Sequence, residues 1–227
     1  MRYAFLALAL SAVIAPAAAA QGAKKGAPKP AAQTGQACRI APGDAWVKRQ
    51  AEWFDESAQS WTNDTLRTAL LAAAALTAPL TAPVQTGVRI AGRTSALGST
   101  ADSMTLLLKT LASTRGSAWP TKSVVGAAGV HAVYLLSARD TGLARLVLHR
   151  LMEAGPAESP AADVATLEDQ MRLLAGRKQI YGTQFVVDDR GTVVLAPMED
   201  SSHADLRRED AGLPPFALGL CLARSAR

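Results

Sequence analysis

One stretch near the C-terminal end of this sequence has the pattern of a β-hairpin, whereas the segments before it have helical periodicity. The runs Phe185-Val186-Val187 and Thr192-Val193-Val194-Leu195 are joined by Asp188-Asp189-Arg190-Gly191, which is typical of a type I turn with a left-handed glycine. Two strands alone are only marginally stable in water. The hairpin, at about residues 183–196, must therefore lie on helices, and we expect a mostly α (α+β) fold: a helical domain with a small antiparallel β-hairpin packed on it.

The helical segments are marked by apolar residues at a spacing of 3.6 residues and by capping residues at their ends. Asp44 begins the first segment, whose periodic residues extend to Trp61. Asn63 caps the second, which ends before Pro79. Further helix starts are predicted later in the chain, near Ser99, at Thr121 or Ser123, at Asp140 or Thr141, and at Ser159 as N-cap with Pro160 as the first helical residue.

Composition divides the chain into four parts. Residues 1–20 have the pattern of a secretory signal peptide, with Arg2 before a short apolar run and a cut expected near Ala20/Gln21. Residues 21–37 are rich in Ala, Pro and Lys and predict a disordered tether, because they offer little apolar surface to bury. Residues 38–98 predict an N-terminal helical pair and a loop, and residues 99–227 predict the main helical domain.

The expected location is therefore periplasmic or secreted. No later segment reaches the roughly 18 consecutive apolar residues of a membrane helix, so no stable membrane insertion is expected after signal cleavage. Most of the excess positive charge lies in the signal peptide and the tether, and residues 31–227 contain 20 basic against 19 acidic residues. A nearly neutral domain without a basic stripe predicts no nucleic-acid partner.

Two cysteines, Cys38 and Cys221, lie near opposite ends of the folded part. In an oxidising compartment they could form a disulfide, and two isolated buried thiols are the alternative. Two distant cysteines and three scattered histidines have no metal-ligand spacing, so no metal site is expected. The sequence also contains no P-loop, no G-x-G-x-x-G and no H-E-x-x-H, and we expect no cofactor.

The segment between the last helix of this series and the hairpin, Gly176 to Gln184, is unusually polar for a connector. Gln179, Thr183 and Gln184 can each donate and accept hydrogen bonds, and Tyr181 carries an O–H on a rigid ring. Asp169, on the preceding helix, is expected to lie close to them. One interpretation is a polar ligand-binding site; the other is that these groups satisfy backbone groups where the helix ends and the sheet begins.

The same residues carry a resemblance to an uncharacterised bacterial domain family of unknown function. The specific piece is Gly176-Arg177-Lys178-Gln179-Ile180-Tyr181-Gly182-Thr183-Gln184, with supporting pieces between Gly116 and Pro214, and the resemblance covers roughly residues 99–220. It implies a mostly helical domain and no established activity. The chain departs from the family pattern where a Gln-His pair is replaced by Leu136-Ser137 and an Arg by Gln170, which weakens an enzyme claim.

We therefore expect an exported, non-catalytic binding or interaction module. Gln179, Tyr181, Thr183 and Gln184 are its candidate ligand-binding residues, and the partner is an unknown ligand or a cell-envelope protein. The alternative is a hydrolase-like enzyme with Asp169 and Tyr181 as catalytic candidates and the two glutamines as substrate holders. Its weakness is that Asp and Tyr titrate far apart unless burial changes their pKa values.

Overall fold

The computed structural model describes residues 38–41, 43–76, 89–90, 99–114, 119–138 and 140–225. All of them belong to one compact unit, residues 37–227. The predicted signal peptide, tether and most of the loop before residue 99 lie outside the described residues, as does Gly116. In the described part the chain forms helices α1 (Ala45–Phe54), α2 (Asp64–Ala75), α3 (Ser99–Ser113), α4 (Lys122–Ser137), α5 (Thr141–Ala154), α6 (Ala161–Leu174), α7 (Ala204–Asp210) and α8 (Phe216–Ser225), and strands β1 (Arg89–Ile90), β2 (Gln184–Val187) and β3 (Val193–Leu195).

The expected fold class is confirmed: the described residues are mostly helical, and a small hairpin packs on the helices. Helix α4 is central, because it packs against α1, α2, α3, α5 and α6. Its Val125, Val130, Val133 and Leu136 are fully buried. A helix surrounded by others must be apolar on every side, which explains why the sequence of α4 contains few polar residues.

Helix α4 is interrupted at Gly126, which the sequence reasoning did not predict. Gly126 has φ +72° and ψ 168°. A Cβ at this position would lie 2.8 Å from Oε1 of Glu56. That oxygen accepts a hydrogen bond from the backbone N–H of Ala128 at 3.1 Å. The break therefore lets Glu56, from the segment after α1, cap the main part of α4.

Helix α1 ends at Phe54, so the prediction that its helical period continues to Trp61 is wrong. The side-chain amide of Gln59 donates to the backbone carbonyls of Trp53 and Asp55. These bonds satisfy carbonyl groups that a helix leaves open at its C-terminal end. The polar residues after Phe54 thus turn the chain instead of extending the helix.

Helix α2 begins as predicted. Oδ1 of Asn63 accepts a hydrogen bond from the backbone N–H of Leu66 at 2.9 Å, which is the geometry of an N-cap. The helix then packs on α4 within the shared core. The division of the sequence at residue 98 stays a prediction about domain organisation, and in the structure residues on both sides of it contribute to one core.

The hairpin is also confirmed. Val186 pairs with Val194 in the antiparallel ladder, and Gly191 in the turn has φ +76°. Strand β1 was not predicted; it adds two residues parallel to β2, with Arg89 opposite Gln184. Phe185 and Val193 are buried against Ala223 of α8, so the hairpin is covered by the last helix.

A disulfide bond joins Cys38 to Cys221 of α8, with 5.7 Å between the two Cα atoms. Of the two alternatives that the sequence left open, the structure has the bonded pair. The bond links the first described residue to the last helix. None of the described helices combines the length and the apolar character needed to cross a bilayer.

Candidate functional site

The polar segment between α6 and β2 forms a loop at residues 179–183, called here the junction loop. Asp169 of α6 is fully buried and receives four hydrogen bonds from it. Its Oδ1 accepts from the backbone N–H groups of Ile180 at 2.7 Å and Tyr181 at 3.1 Å. Its Oδ2 accepts from the N–H of Thr183 at 3.0 Å and from the Thr183 hydroxyl at 2.9 Å. One carboxylate therefore binds three backbone N–H groups and one hydroxyl of the loop.

Two arginines of α7 bind the acceptor side of the junction loop. Nε of Arg207 donates to the carbonyl of Ile180 at 2.8 Å. Nη1 of Arg208 donates to the carbonyls of Tyr181 at 2.8 Å and Gly182 at 3.1 Å. Burial lowers the pKa of Arg208 to about 10, so the guanidinium is still charged at neutral pH. The loop is thus held between a carboxylate on α6 and two cations on α7.

The two glutamines complete the internal hydrogen bonding of the loop. Nε2 of Gln179 donates to the carbonyls of Gln184 at 3.0 Å and Ala196 at 2.8 Å, and its Oε1 accepts from the Gln184 N–H at 2.9 Å. Nε2 of Gln184 donates to the carbonyl of Thr166 at 3.1 Å and to the Thr183 hydroxyl at 3.0 Å. These amides replace the regular partners that the backbone lacks where a helix ends and a strand begins.

The structure brings the predicted residues together and engages most of them in internal hydrogen bonds. Gln179, Thr183 and Gln184 were expected to bind a ligand, and Asp169 was a catalytic candidate. All four are buried and are engaged in the internal hydrogen bonds just described. A buried group that is already bonded gains nothing from a ligand unless the loop breaks. The ligand-binding and catalytic roles of these four residues stay predictions, and their hydrogen bonds support the fold.

Tyr181 is the exception among the predicted residues. Its side chain is half-buried and lines an open cleft of about 320 Å³ between α5, α6 and α7. That volume lies at the lower end of the range found for small-molecule pockets. The cleft is lined by Leu151, Met152, Gly155, Pro156, Ser159, Ala161, Val164, Ala165, Tyr181, Arg207, Asp210 and Ala211.

The walls of this cleft are mainly apolar, and four polar side chains lie among them. The Tyr181 hydroxyl forms no hydrogen bond with any residue in the described part of the chain. Ser159 is 2% exposed, and its Oγ has no hydrogen-bond partner there either. Arg207 and Asp210 lie one helical turn apart on α7, and Asp210 forms no ion pair within the described ranges. A cleft with apolar walls and a few uncommitted polar groups is the usual form of a ligand site.

The chain matches a known protein family. A family model described as a family of unknown function, DUF6624, matches residues 94–226. The chain belongs to this family. The resemblance seen in the sequence is thereby confirmed at the level of an uncharacterised family, over slightly wider bounds than the expected 99–220. No curated protein and no solved structure matches the chain.

The part of the chain that matches DUF6624 contains both the junction loop with its anchors and every residue that lines the Tyr181 cleft. Helices α1 and α2 precede the matched region. The loop, its anchors and the cleft therefore all belong to the DUF6624 domain.

The electrostatic surroundings keep Tyr181 of this DUF6624 domain protonated. Burial raises the pKa of Tyr181, and the nearby carboxylates of Glu168 and Asp169 raise it further. Arg207 and Arg172 act in the opposite direction but do not cancel the effect. Near neutral pH the phenol is a neutral hydrogen-bond donor and acceptor, which suits ligand binding better than proton abstraction.

A second, smaller cavity of about 190 Å³ adjoins the cleft on the side of α1. Pro156, Ala161 and Ala211 line both hollows, so the first turn of α6 lies between them. The smaller cavity also has Trp53 and Phe54 in its wall. The two hollows therefore share part of their walls near the start of α6.

His131 lies beside the smaller cavity, in contact with Phe54 of its wall. Its ring stacks on Tyr134 and meets Phe54 edge-on, with centroid distances of 5.4 and 5.8 Å. Its Nδ1 lies 2.9 Å from Oδ2 of Asp163 on α6. Burial raises the pKa of Asp163, and His131 partly offsets this. The pair fixes α4 to α6.

Sequence reasoning missed the residues that matter most around Tyr181. Arg207 and Arg208 belong to a stretch dense in charge, which is normally solvent-exposed, yet Arg208 is 1% exposed. Ser159 was expected to cap α6, but Pro160 is the N-cap residue. A one-residue change in the helix start therefore leaves the serine hydroxyl in the cleft wall. The advance signal was only that both arginines fall within residues 99–220, the stretch that carries the family resemblance.

Proposed function

We propose that this DUF6624 protein is an exported, non-catalytic binding module that takes a small molecule with an apolar body in the cleft beside Tyr181. The binding site is then the cleft next to the junction loop and not the loop itself. The loop then serves to hold the Tyr181 backbone in place.

The observation that carries the proposal is the Tyr181 hydroxyl, which has no partner among the described residues, in the wall of a cleft of about 320 Å³. The other candidate residues have internal partners: Asp169, Gln179, Thr183 and Gln184. Tyr181 instead lines the cleft and carries a hydroxyl. Apolar walls supply binding energy by releasing water, and a few polar groups supply orientation.

Export is supported by the signal-peptide pattern of residues 1–20 and is compatible with the Cys38–Cys221 disulfide. Disulfides persist in oxidising compartments and are rare in the cytosol. Mass spectrometry of the protein recovered from cell envelope and medium tests the location directly. A mature N-terminus near Gln21 in either fraction supports export, and a full-length chain confined to the cytosol contradicts it.

The position of Asp169 favours the binding module over the hydrolase alternative. Asp169 accepts four hydrogen bonds in a buried position, and no lone pair is left to take a proton from a water in the cleft. The other expected partner, a cell-envelope protein, predicts co-purification of a defined protein rather than binding of small molecules.

Binding in the cleft can be tested with four small probes that each combine an apolar group with one polar group: isoamyl alcohol, isovalerate, isoamylamine and phenol. Saturation-transfer NMR on the full exported protein measures contact, and competition among the probes tests for a shared site. Ala161 lines the cleft and is exposed, so Ala161→Trp should block it. Ala157 is also exposed and does not line the cleft, which makes Ala157→Trp the matched control.

We expect at least one probe to bind the wild-type protein and Ala157→Trp, and to lose its signal with Ala161→Trp. Equal signals from both tryptophan variants would place binding elsewhere and contradict the proposal. So would the absence of any signal from all four probes.

A further inference from the structure

The start of α6, whose first residue Ala161 lines the Tyr181 cleft, leaves backbone N–H groups open. Pro160 is the N-cap residue and has no side chain that could cap the helix. The first two bonded backbone N–H groups are those of Asp163 and Val164, which both donate to the carbonyl of Pro160. Within the described residues the N–H groups of Ala161 and Ala162 have no acceptor. Open N–H groups and the helix dipole favour a negative group at this place.

A second observation at the same place points to a ligand. Ser159 directly precedes the N-cap residue and lines the cleft. It is 2% exposed, and its Oγ is buried without a partner in the described part of the chain. An unsatisfied buried hydroxyl costs free energy that a bound acceptor or donor would recover.

The opposite wall of the cleft carries both signs of charge on α7. Arg207 uses Nε for the carbonyl of Ile180 and Nη2 for that of Asp200, while its Nη1 has only a 3.7 Å contact with Asp200. Asp210, one turn later on the same face, is exposed and forms no ion pair with described residues. A ligand with a single negative charge would face repulsion from Asp210, and one with a single positive charge would face Arg207.

We propose that the cleft binds a small zwitterion with an apolar side chain, that is, an α-amino acid or a short peptide. This inference rests on the proposed binding function and names its ligand class. The ligand carboxylate lies towards Arg207, Ser159 and the open first turn of α6, and the ammonium lies towards Asp210. Apolar residues such as Leu151, Met152 and Val164 receive the side chain.

Isothermal titration of the full exported protein with L-leucine tests this class. Isovalerate and isoamylamine carry the same apolar group with only one of the two charges. Because each charged group should gain its own charge-assisted bond, we expect L-leucine to bind about tenfold more tightly than either. Glycine, which lacks the apolar group, should also bind more weakly. L-leucyl-L-leucine distinguishes the sources: tighter binding than leucine indicates peptides, and weaker binding indicates free amino acids.

The variant Asp210→Asn should weaken L-leucine binding about tenfold and improve isovalerate binding, because the ammonium loses its partner while the lone carboxylate loses a repelling charge. Asp189→Asn, in the exposed hairpin turn, is the control and should change nothing. Both positions are exposed, so neither change should affect folding.

If the single-charge probes bind in the cleft as tightly as L-leucine, the zwitterion proposal is overturned while the binding function stands. Loss of isovalerate and leucine binding to the same extent in Asp210→Asn would overturn it as well. If no probe of any kind binds, the proposed function itself fails.

Discussion

The guanidinium of Arg208 on α7 occupies the space that a side chain at Gly219 of α8 would need. A Cβ at position 219 would lie 2.7 Å from Nη2 of Arg208. The guanidinium cannot easily move, because its Nε and Nη1 are bonded to the carbonyls of Pro214, Tyr181 and Gly182. The missing side chain at residue 219 therefore makes room for the cation that binds the junction loop.

This relationship predicts a sign reversal in a double-mutant cycle. In the wild-type protein Gly219→Ala adds a clash of about 1–3 kcal/mol, which exceeds the gain of about 1 kcal/mol in helix propensity. With Arg208→Ala already present the clash is gone, and Gly219→Ala should stabilise the protein. Urea unfolding of the four proteins measures the coupling. Purely additive effects would show that the two residues do not compete for space.

Asp169→Asn should lower the free energy of unfolding by about 2–4 kcal/mol. An amide can accept hydrogen bonds on one side only, so its NH₂ group must face donors from the junction loop. The exposed Asp189→Asn change should have no measurable effect on unfolding by urea. Similar stabilities for the two variants would mean that the buried carboxylate does not hold the loop.

Tyr181→Phe and Thr183→Val should differ in their effect on stability although both remove a hydroxyl. The Tyr181 hydroxyl has no partner in the described part of the chain, so its loss should cost less than about 0.5 kcal/mol. The Thr183 hydroxyl is buried between Asp169 and Gln184, and its loss should cost about 1–3 kcal/mol. Thermal unfolding of both variants checks this order. A large loss with Tyr181→Phe would assign the phenol a structural role.

Asp140 predicts a stability difference that depends on pH. Partial burial raises its pKa, but hydrogen bonds from Lys109 and the backbone N–H of Leu143 outweigh this and hold the pKa below its usual value. Such a carboxyl stabilises the fold above the unfolded pKa of about 3.9 and loses this effect as the pH falls through the lower folded value. Asp140→Ala should cost about 1–2 kcal/mol at pH 7, and the difference should shrink below about pH 4. A difference that stays constant down to pH 2 would contradict this account.

Reduction of the Cys38–Cys221 disulfide should destabilise the protein, because the bond closes a loop across a sequence separation of 183. Chain entropy predicts a loss of up to about 5 kcal/mol, and measured losses are often smaller. Thermal unfolding with and without dithiothreitol measures the effect, with the Cys38→Ser/Cys221→Ser double variant as the control that should not respond to reductant. Equal melting temperatures in both conditions would show that the bond does not contribute.

Local signals were enough to predict most helices and the hairpin. Asn63 and Asp140 cap helices where the sequence places them, and Gly191 has the expected left-handed conformation. Each of these signals depends on residues within one or two turns of the chain. Boundaries were less certain: moving the start of α6 by one residue changed Ser159 from a cap into an unpartnered hydroxyl.

The candidate site could not be predicted in the same way. Arg208 reaches the carbonyl of Tyr181 across 27 residues of sequence, and Asp169 reaches Thr183 across 14. A composition of glutamine, tyrosine and threonine shows that polar groups meet, but not whether they face the interior or a cleft. That direction is decided by packing of α7 and α8, which no local pattern encodes.

The double anchoring of the junction loop has a thermodynamic consequence for recognition. Because Asp169 and the two arginines already hold the main chain around Tyr181, a molecule arriving at the ring would not need to immobilise a mobile segment first. The usual entropic penalty of ordering a recognition loop would have been met during folding. Association at this position would therefore avoid that part of the cost, and even a molecule of few atoms could be retained.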